Sequence, residues 1–146
     1  MKQAMLLRGL LLLFLLLLGP PAGAEKRYEF TDGGGTQLML WGGDKRWNLQ
    51  VNGKSNSSAL ALTPSEWKEF RSNYQSAVTA MRKLAPGKSA VAGKFKDIRF
   101  QAARGADWQC VTMVFPPFGI NLIVYHADKS SPPNGEAFEK WLDSIK

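Results

Sequence analysis

The segment TPSEWKEFRSNYQSAVTAMRKLAPG, residues 63–87, is the most strongly patterned part of the 146-residue chain. Thr63, with proline after it and Glu66 three residues later, is the sequence of a capped helix start. Apolar residues then recur every three or four positions, which predicts an amphipathic helix that ends at Pro86-Gly87. These apolar positions are Trp67, Phe70, Tyr74, Val78 (or Ala77), Met81 and Leu84.

Short strands separated by turn residues are predicted on both sides of this helix. Before the helix, the expected strands are residues 28–32, 37–41, 46–51 and 59–62. After it, residues 88–93 are expected to form a loop, and the strands are residues 94–103, 108–115 and 120–126. A short helix with Phe138, Trp141, Leu142 and Ile145 on one side ends the chain. The order strands then helix, found twice, predicts an α+β fold with antiparallel sheets in two strand-rich units.

Matching apolar faces predicts the register of two hairpins. In the first, Leu40 faces Trp47 across a loop of residues 42–45, so Trp41 lies opposite Arg46 and can form a cation–π contact. In the second, Phe115 faces Ile120 and residues 116–119 form the loop.

The two units share sequence detail that suggests a tandem duplication, with pseudo-repeats of about 28–84 and 94–145. The hairpin of residues 38–51 resembles that of residues 111–124, with Asn48 and Asn121 73 residues apart. Trp67 and Phe138, each the first aromatic of a predicted helix, are 71 residues apart. A near-constant offset is typical of duplication with small loop changes. The alternative is that any two hairpins followed by amphipathic helices look alike.

Residues 1–24 have the order of a secretory signal peptide. Lys2 and Arg8 come first, an apolar run follows over residues 10–18, and small residues precede Glu25. The run is too short to span a bilayer of ~30 Å. We therefore expect a single domain of residues 25–146, exported to the periplasm or secreted, with no transmembrane segment.

Few residues could carry enzymatic or metal chemistry. Cys110 is the only cysteine and His126 the only histidine, so an intrachain disulfide is impossible and a metal site of the usual kind is hard to build. The predicted register places His126 opposite Gln109, on the sheet face away from Cys110, which disfavours a nucleophile–base dyad. A serine hydrolase is not excluded by counting, but no Gly-x-Ser-x-Gly sequence supports one. We expect a non-enzymatic protein with no catalytic residue, metal or cofactor.

Positive charge is concentrated in residues 82–104. The chain has 19 basic and 12 acidic residues, and this segment holds seven basic residues and one acidic residue, Asp97. Lys94, Lys96 and Arg99 interleave with aromatic and aliphatic residues, as on a sheet that stacks rings while neutralising an anionic backbone. The alternative is that the charges complement the helix end or are simply solvated. The candidate binding residues are Trp41, Arg46, Lys88, Lys94, Lys96, Arg99 and Arg104.

The two strand-rich units, each closed by a helix, resemble the duplicated ββββα plan of the Whirly and Pur-type single-strand nucleic-acid-binding proteins. The resemblance covers nearly the whole mature chain, although only three strands are predicted in the second unit and no family motif is matched. It implies sheets that present aromatic and basic residues to unpaired bases. In this chain those residues would be Trp41, Arg46, Lys94, Lys96 and Arg99.

The function expected from the sequence is that of an exported binding or accessory module whose basic face meets an anionic partner. An acidic polymer, lipid headgroups, nucleic acid or an acidic protein would each fit. One alternative is a Whirly-like single-strand nucleic-acid binder. Another is a protein inhibitor or assembly partner that binds through the loops 42–45 and 116–119.

Overall fold

The computed structural model describes residues 25–129 and 133–146, and the element order in these residues is ββββαββββα. The first unit consists of β1 (Lys26–Thr31), β2 (Gln37–Gly43), β3 (Arg46–Asn52), β4 (Ser57–Leu62) and α1 (Pro64–Lys83). The second consists of β5 (Lys88–Phe95), β6 (Ile98–Arg104), β7 (Trp108–Phe115), β8 (Ile120–Asp128) and α2 (Gly135–Ser144). The expected signal peptide, residues 1–24, lies outside the described residues.

Each unit forms its own antiparallel four-stranded sheet, with the strands in sequence order. Sheet A contains β1 to β4, and sheet B contains β5 to β8. The predicted α+β fold with two strand-rich units is confirmed. The second unit has four strands where the sequence predicts three, so both units have the same order of elements.

The additional strand, β5, occupies a segment predicted as a loop and the start of one long strand. β5 ends at Phe95, and the turn Lys96-Asp97 connects it to β6. Both turn residues have positive φ, 45° and 64°. Such two-residue hairpin turns are normally filled by Asn and Gly. A lysine in this position gives no turn signal, and the small residues of 88–93 have weak strand propensity, so the prediction is wrong here.

The β2–β3 hairpin is shifted by two residues from the predicted register. Leu40 lies opposite Leu49, and Arg46 lies opposite Gly43. Trp41 lies opposite Asn48, so the predicted Trp41–Arg46 cation–π pair is wrong. The strands stay paired up to a two-residue loop because Gly42 has no Cβ. A Cβ there would collide with the backbone carbonyl oxygen of Arg46.

The β7–β8 hairpin has the predicted register at its loop end, where Phe115 lies opposite Ile120. At its other end a β-bulge interrupts the pairing. Gln109 lies opposite Ala127, so the predicted pairing of His126 with Gln109 is wrong by one residue. His126 is the extra residue of the bulged strand.

Helix α1 begins as predicted, with a reciprocal capping box. The Thr63 backbone N–H donates to the Glu66 carboxylate at 2.8 Å, and the Glu66 N–H donates to the Thr63 hydroxyl at 3.2 Å. Although α1 follows sheet A in sequence, it packs mainly on β5, β6 and β7 of sheet B. Its buried face consists of Trp67, Phe70, Tyr74, Ala77, Val78 and Met81.

Helix α2 packs against β8 and β1 and so connects the two sheets. Each helix carries a stacked aromatic pair. In α1, the ring centroids of Trp67 and Phe70 are 5.2 Å apart, and in α2 those of Phe138 and Trp141 are 5.4 Å apart. Trp67 and Trp141 meet edge to face at 6.0 Å. Buried residues of both sheets and both helices therefore form one contiguous core.

The exposed edge of β8 is capped by side chains from outside sheet B. Ile123 N–H donates to the Asp32 carboxylate at 3.0 Å, and Tyr125 N–H donates to the Asn134 amide oxygen at 2.7 Å. Asp32 is itself buried and also accepts the N–H groups of Gly34 and Thr36. These bonds satisfy edge groups that would otherwise be available for pairing with another strand.

Candidate functional site

Five of the seven predicted binding residues lie on the β5–β6 hairpin, but at two different ends of it. The register pairs Lys88 with Arg104 at the open end, and Lys94 with Arg99 beside the turn residue Lys96. Trp41 and Arg46 lie on the other sheet. We call Lys94, Lys96 and Arg99 the hairpin tip. We call Lys88 and Arg104, with Arg82 and Lys83 of the last turn of α1, the basic end.

The charges of the hairpin tip are largely compensated. The Lys96 ammonium lies 2.8 Å from the Glu66 carboxylate, and the Lys94 ammonium lies 3.1 Å from that of Asp97. The hydrogen bond from Lys96 lowers the pKa of Glu66 below its usual value. Three cations therefore meet two carboxylates, and the tip keeps about one uncompensated charge, that of Arg99.

The rings that interleave with the tip cations are not accessible. Phe95 is 4% exposed and Phe100 is fully buried. Both rings contact Phe70 of α1, with centroids 6.4 Å and 5.2 Å apart. The expected surface of alternating rings and cations is therefore wrong at this hairpin. The turn at Lys96 makes Phe95 and Phe100 part of the core, and only the cations face solvent.

Backbone and side-chain hydrogen bonds hold the basic end together. The Arg104 guanidinium donates to the Leu84 carbonyl at 2.9 Å, immediately after α1. Gly87 N–H donates to the Arg104 carbonyl at 2.8 Å. The end of α1, the following loop and the open end of the β5–β6 hairpin thus meet at one place. Arg82, Lys83 and Lys88 are exposed there.

The basic end carries uncompensated positive charge. In the described part of the chain, none of its four cations forms an ion pair with a carboxylate. Residues 72–93 contain Arg82, Lys83 and Lys88 and no acidic residue. The C-terminal dipole of α1 offsets only about half of one charge. The potential at this end therefore favours an anion more strongly than the potential at the hairpin tip.

An exposed tryptophan adjoins the basic end. Trp108 is 40% exposed, and its indole lies over Gly105, where an added Cβ would collide with the ring. The ring borders a cavity of about 470 Å³. Its lining includes Arg104, Trp108 and His126, together with the carboxylates Asp107 and Asp128. Lys129, also in the lining, pairs with Asp107 at 2.7 Å. The sequence pattern does not single out Trp108, because a tryptophan at the start of a predicted strand looks like a core residue.

A second cavity, of about 320 Å³, lies between the two helices and contains Tyr74 and Arg82 in its lining. The Tyr74 hydroxyl and His126 Nε2 are 2.8 Å apart. Burial raises the pKa of Tyr74 and lowers the pKa of His126. Since Tyr74 is 1% exposed, this hydrogen bond joins α1 to β8 and offers little access to a substrate.

The candidate dyad of Cys110 and His126 is not assembled. Cys110 lies opposite Tyr125, on the sheet face away from the core, whereas His126 bonds Tyr74 on the face toward α1. Burial raises the pKa of the Cys110 thiol, which keeps it protonated and poorly nucleophilic. The residues placed by the structure contain no group of three or more His, Cys, Asp or Glu suited to a metal ion.

No helix among residues 25–129 and 133–146 is long and apolar enough to cross a membrane. Comparison with known proteins gives no match to a protein-family model, to a curated protein or to a solved structure. The function of the chain is therefore inferred from its own geometry and charge.

Proposed function

We propose that the protein is a non-enzymatic binding module whose basic end binds an anionic partner. The observation that carries this proposal is the contrast between two cation clusters at opposite ends of the β5–β6 hairpin, one of which also includes the last turn of α1. At the basic end, four cations lack carboxylate partners among the described residues, whereas at the hairpin tip Glu66 and Asp97 compensate two of three cations. Uncompensated clustered charge attracts polyanions and raises their local concentration.

The chemistry of the basic end favours phosphate, sulfate or carboxylate groups on an acidic polymer. Arg104 uses one guanidinium nitrogen for the Leu84 carbonyl, which orients the remaining N–H donors. Oriented arginine N–H groups bind such oxyanions better than a mobile side chain does. Trp108 beside Arg104 adds an apolar surface for the backbone of the polymer. Export directed by residues 1–24 is part of this proposal and would place the protein with acidic polymers of the cell envelope or surroundings.

The experiment compares two double variants that each remove two positive charges, one at the basic end and one at the hairpin tip. Lys83→Ala with Lys88→Ala neutralises half of the basic end, and Lys94→Ala with Lys96→Ala is the matched control at the tip. Binding to heparin and to a single-stranded oligothymidylate is measured by fluorescence anisotropy from about 50 mM to about 300 mM salt.

We expect the double variant Lys83→Ala with Lys88→Ala to bind heparin about tenfold or more weakly. Its affinity should also depend less steeply on salt, because two ion contacts are lost. The double variant Lys94→Ala with Lys96→Ala should change the affinity for heparin less than about threefold, because both lysines already pair with carboxylates. The proposal would be contradicted if both double variants lost the same affinity, or if the basic-end variant lost none. Strong preference for the oligothymidylate would favour the alternative of a single-strand nucleic-acid binder.

A second candidate function, docking to a protein through the loop 116–119, is favoured by one observation. Phe118 at the tip of this loop is 60% exposed. An exposed aromatic side chain on a short hairpin loop is the kind of residue that anchors protein interfaces. In this case charge removal at either cluster would leave partner binding unchanged.

A further inference from the structure

The outward face of sheet A is unusually rich in side-chain amides. On β2 and β3, the residues that point inward are buried and apolar, and those that point outward alternate with them. We define the amide face as the half-buried outward residues Gln37, Trp41, Asn48, Gln50 and Asn52. The cross-strand register places Gln37 opposite Asn52 and Trp41 opposite Asn48. The five side chains thus cover the middle of the sheet as one surface.

Hydrogen bonds order this surface. Gln50 Nε2 donates to Asn52 Oδ1 at 2.7 Å, and Asn52 Nδ2 donates to Gln37 Oε1 at 3.2 Å. Each amide has two N–H donors and an oxygen acceptor, so the chain of bonds leaves both donors and acceptors free. Gln50, Asn52 and Gln37 bond one another, whereas no hydrogen bond among the described residues involves the Asn48 side chain. A ligand that both donates and accepts hydrogen bonds, such as a hydroxyl group, matches this pattern.

The amide face has no net charge. Arg27 and Glu29 of β1 lie at one margin and pair with each other at 2.6 Å. At the end of β3, the exposed Arg46 lies next to Asn48 on the same outward side. Arg27 also reaches over Met39, a buried outward residue between the amides, and contacts its sulfur at 3.2 Å. None of the five residues of the face is ionisable. A polyanion lying along the amides would lose hydration and meet only one cation, Arg46 at the end of β3, which is costly. The surface is therefore complementary to a neutral polar ligand, in contrast to the basic end.

Trp41 gives the face an apolar platform. Its half-buried indole lies between Arg27 on β1 and Asn48 on β3. From Trp41 to Gln37 along β2 the distance is about 13 Å, at roughly 3.3 Å per residue. A sugar chain presents C–H groups on the faces of its rings and hydroxyl groups at their edges. An indole next to a row of amides fits both parts of such a chain over roughly two or three rings.

We propose that the amide face is a binding site for a neutral polysaccharide built of pyranose rings. Trp41 stacks on one ring, and Asn48, Gln50 and Asn52 bond the hydroxyl groups of that ring and its neighbours. This site lies on the other sheet from the basic end and uses no charge, so it goes beyond the proposed polyanion binding. The two sites together would let the protein bridge a neutral and an acidic polymer.

The test is native affinity electrophoresis of the full chain in gels that contain hydroxyethylcellulose or dextran. We expect at least one of these neutral polymers to retard the protein, independently of salt. Trp41→Ala should weaken retardation about tenfold or more, and Asn48→Ala with Gln50→Ala should weaken it several-fold. Trp108→Ala, which removes the exposed tryptophan near the basic end, is the matched control and should be retarded like wild type.

Several outcomes would overturn this proposal. They are no retardation by either polymer, equal retardation of Trp41→Ala and wild type, and retardation only by heparin or oligothymidylate. A concentration-dependent dimer that Trp41→Ala abolishes would assign the face to a second copy of the chain. If Trp41→Ala fails to fold, Trp41→Phe provides the test, because the smaller ring should retain part of the binding. The basic-end variant Lys83→Ala with Lys88→Ala should bind the neutral polymer normally, so the two proposals can fail separately.

Discussion

The two ββββα units of this protein agree in their helices and differ in their strands. Both helices carry a buried aromatic residue at their fourth and seventh positions. In α1 these are Trp67 and Phe70, and in α2 they are Phe138 and Trp141, in the reverse order of residue type. Each pair is stacked, with interplanar angles of 14° and 21°. The stacked pair is therefore repeated at the same helix positions with the residue types exchanged, although the two helices pack on different strands.

The strands do not repeat in the way their sequences suggest. The resembling hairpins fall in β2–β3 and β7–β8, which are the second and third strands of one unit and the third and fourth of the other. This part of the resemblance joins non-equivalent elements and does not support a duplication. Only the helix resemblance joins equivalent positions. Repeated architecture is therefore better sought in residues at equivalent positions of equivalent elements than in short stretches of similar sequence.

Removing one buried ring from each helix tests whether both helices are equally part of the core. Phe70→Ala should lower the free energy of unfolding by about 3–5 kcal/mol, because a fully buried ring leaves a cavity among Trp67, Phe95 and Phe100. Phe138→Ala, at the corresponding aromatic pair of α2, should have a similar cost. Urea unfolding followed by circular dichroism measures both. A cost below about 1 kcal/mol for Phe138→Ala would show that α2 is a loosely attached element.

A smaller effect distinguishes the two helix starts. Thr63→Ala should cost about 1 kcal/mol because it removes the capping hydroxyl of α1. Asn134 makes no side-chain cap for α2 and instead bonds the edge of β8, so Asn134→Ala should cost about 1–3 kcal/mol. Amide hydrogen exchange at Tyr125 separates the mechanisms. It should accelerate in Asn134→Ala and stay unchanged in Thr63→Ala, and equal exchange in both variants would contradict this distinction.

The smallest expected effect concerns the bond that joins the two units at His126. Burial lowers the pKa of His126, the charge of Arg82 lowers it further, and that of Glu139 acts in the opposite direction. The unfolded chain therefore takes up a proton near pH 6.5, while folded His126 stays neutral to a lower pH. Stability should fall as the pH decreases through this range. The loss should be small, because His126 is partly exposed.

Unfolding midpoints at about pH 7.5 and about pH 5.5 for wild type and His126→Gln measure this effect. The variant should lose less stability than wild type over the interval, because it lacks the titrating ring. Tyr74→Phe is the control that removes the hydrogen bond to His126 but keeps the titratable group. An identical pH dependence in wild type and His126→Gln would show that other groups account for the acid sensitivity.

The sequence predicts α1 in detail, because its capping residues, its apolar face and the Pro-Gly at its end are all local signals. It fails at Lys96-Asp97 and at Gly42, where backbone conformation rather than residue type determines the turn and the register. It predicts the basic segment as one surface, but antiparallel pairing brings Lys88 to Arg104 and Lys94 to Arg99, which separates the charges into two clusters. Carboxylates from distant positions, such as Glu66, then decide which cluster stays uncompensated. This compensation depends on contacts in the tertiary structure and cannot be predicted from the local sequence.

The edge-to-face contact between Trp67 and Trp141 has a spectroscopic consequence. It joins one ring from each helix at 6.0 Å, and the indole N–H groups of both residues are buried without a hydrogen-bond partner among the described residues. Two indoles held at a fixed angle in an apolar environment give a strong near-ultraviolet circular dichroism signal, which vanishes when fixed packing is lost. The near-ultraviolet signal of this pair therefore reports whether α2 is packed against the core. Its signal would be lost on undocking even while the far-ultraviolet spectrum of the eight strands remained.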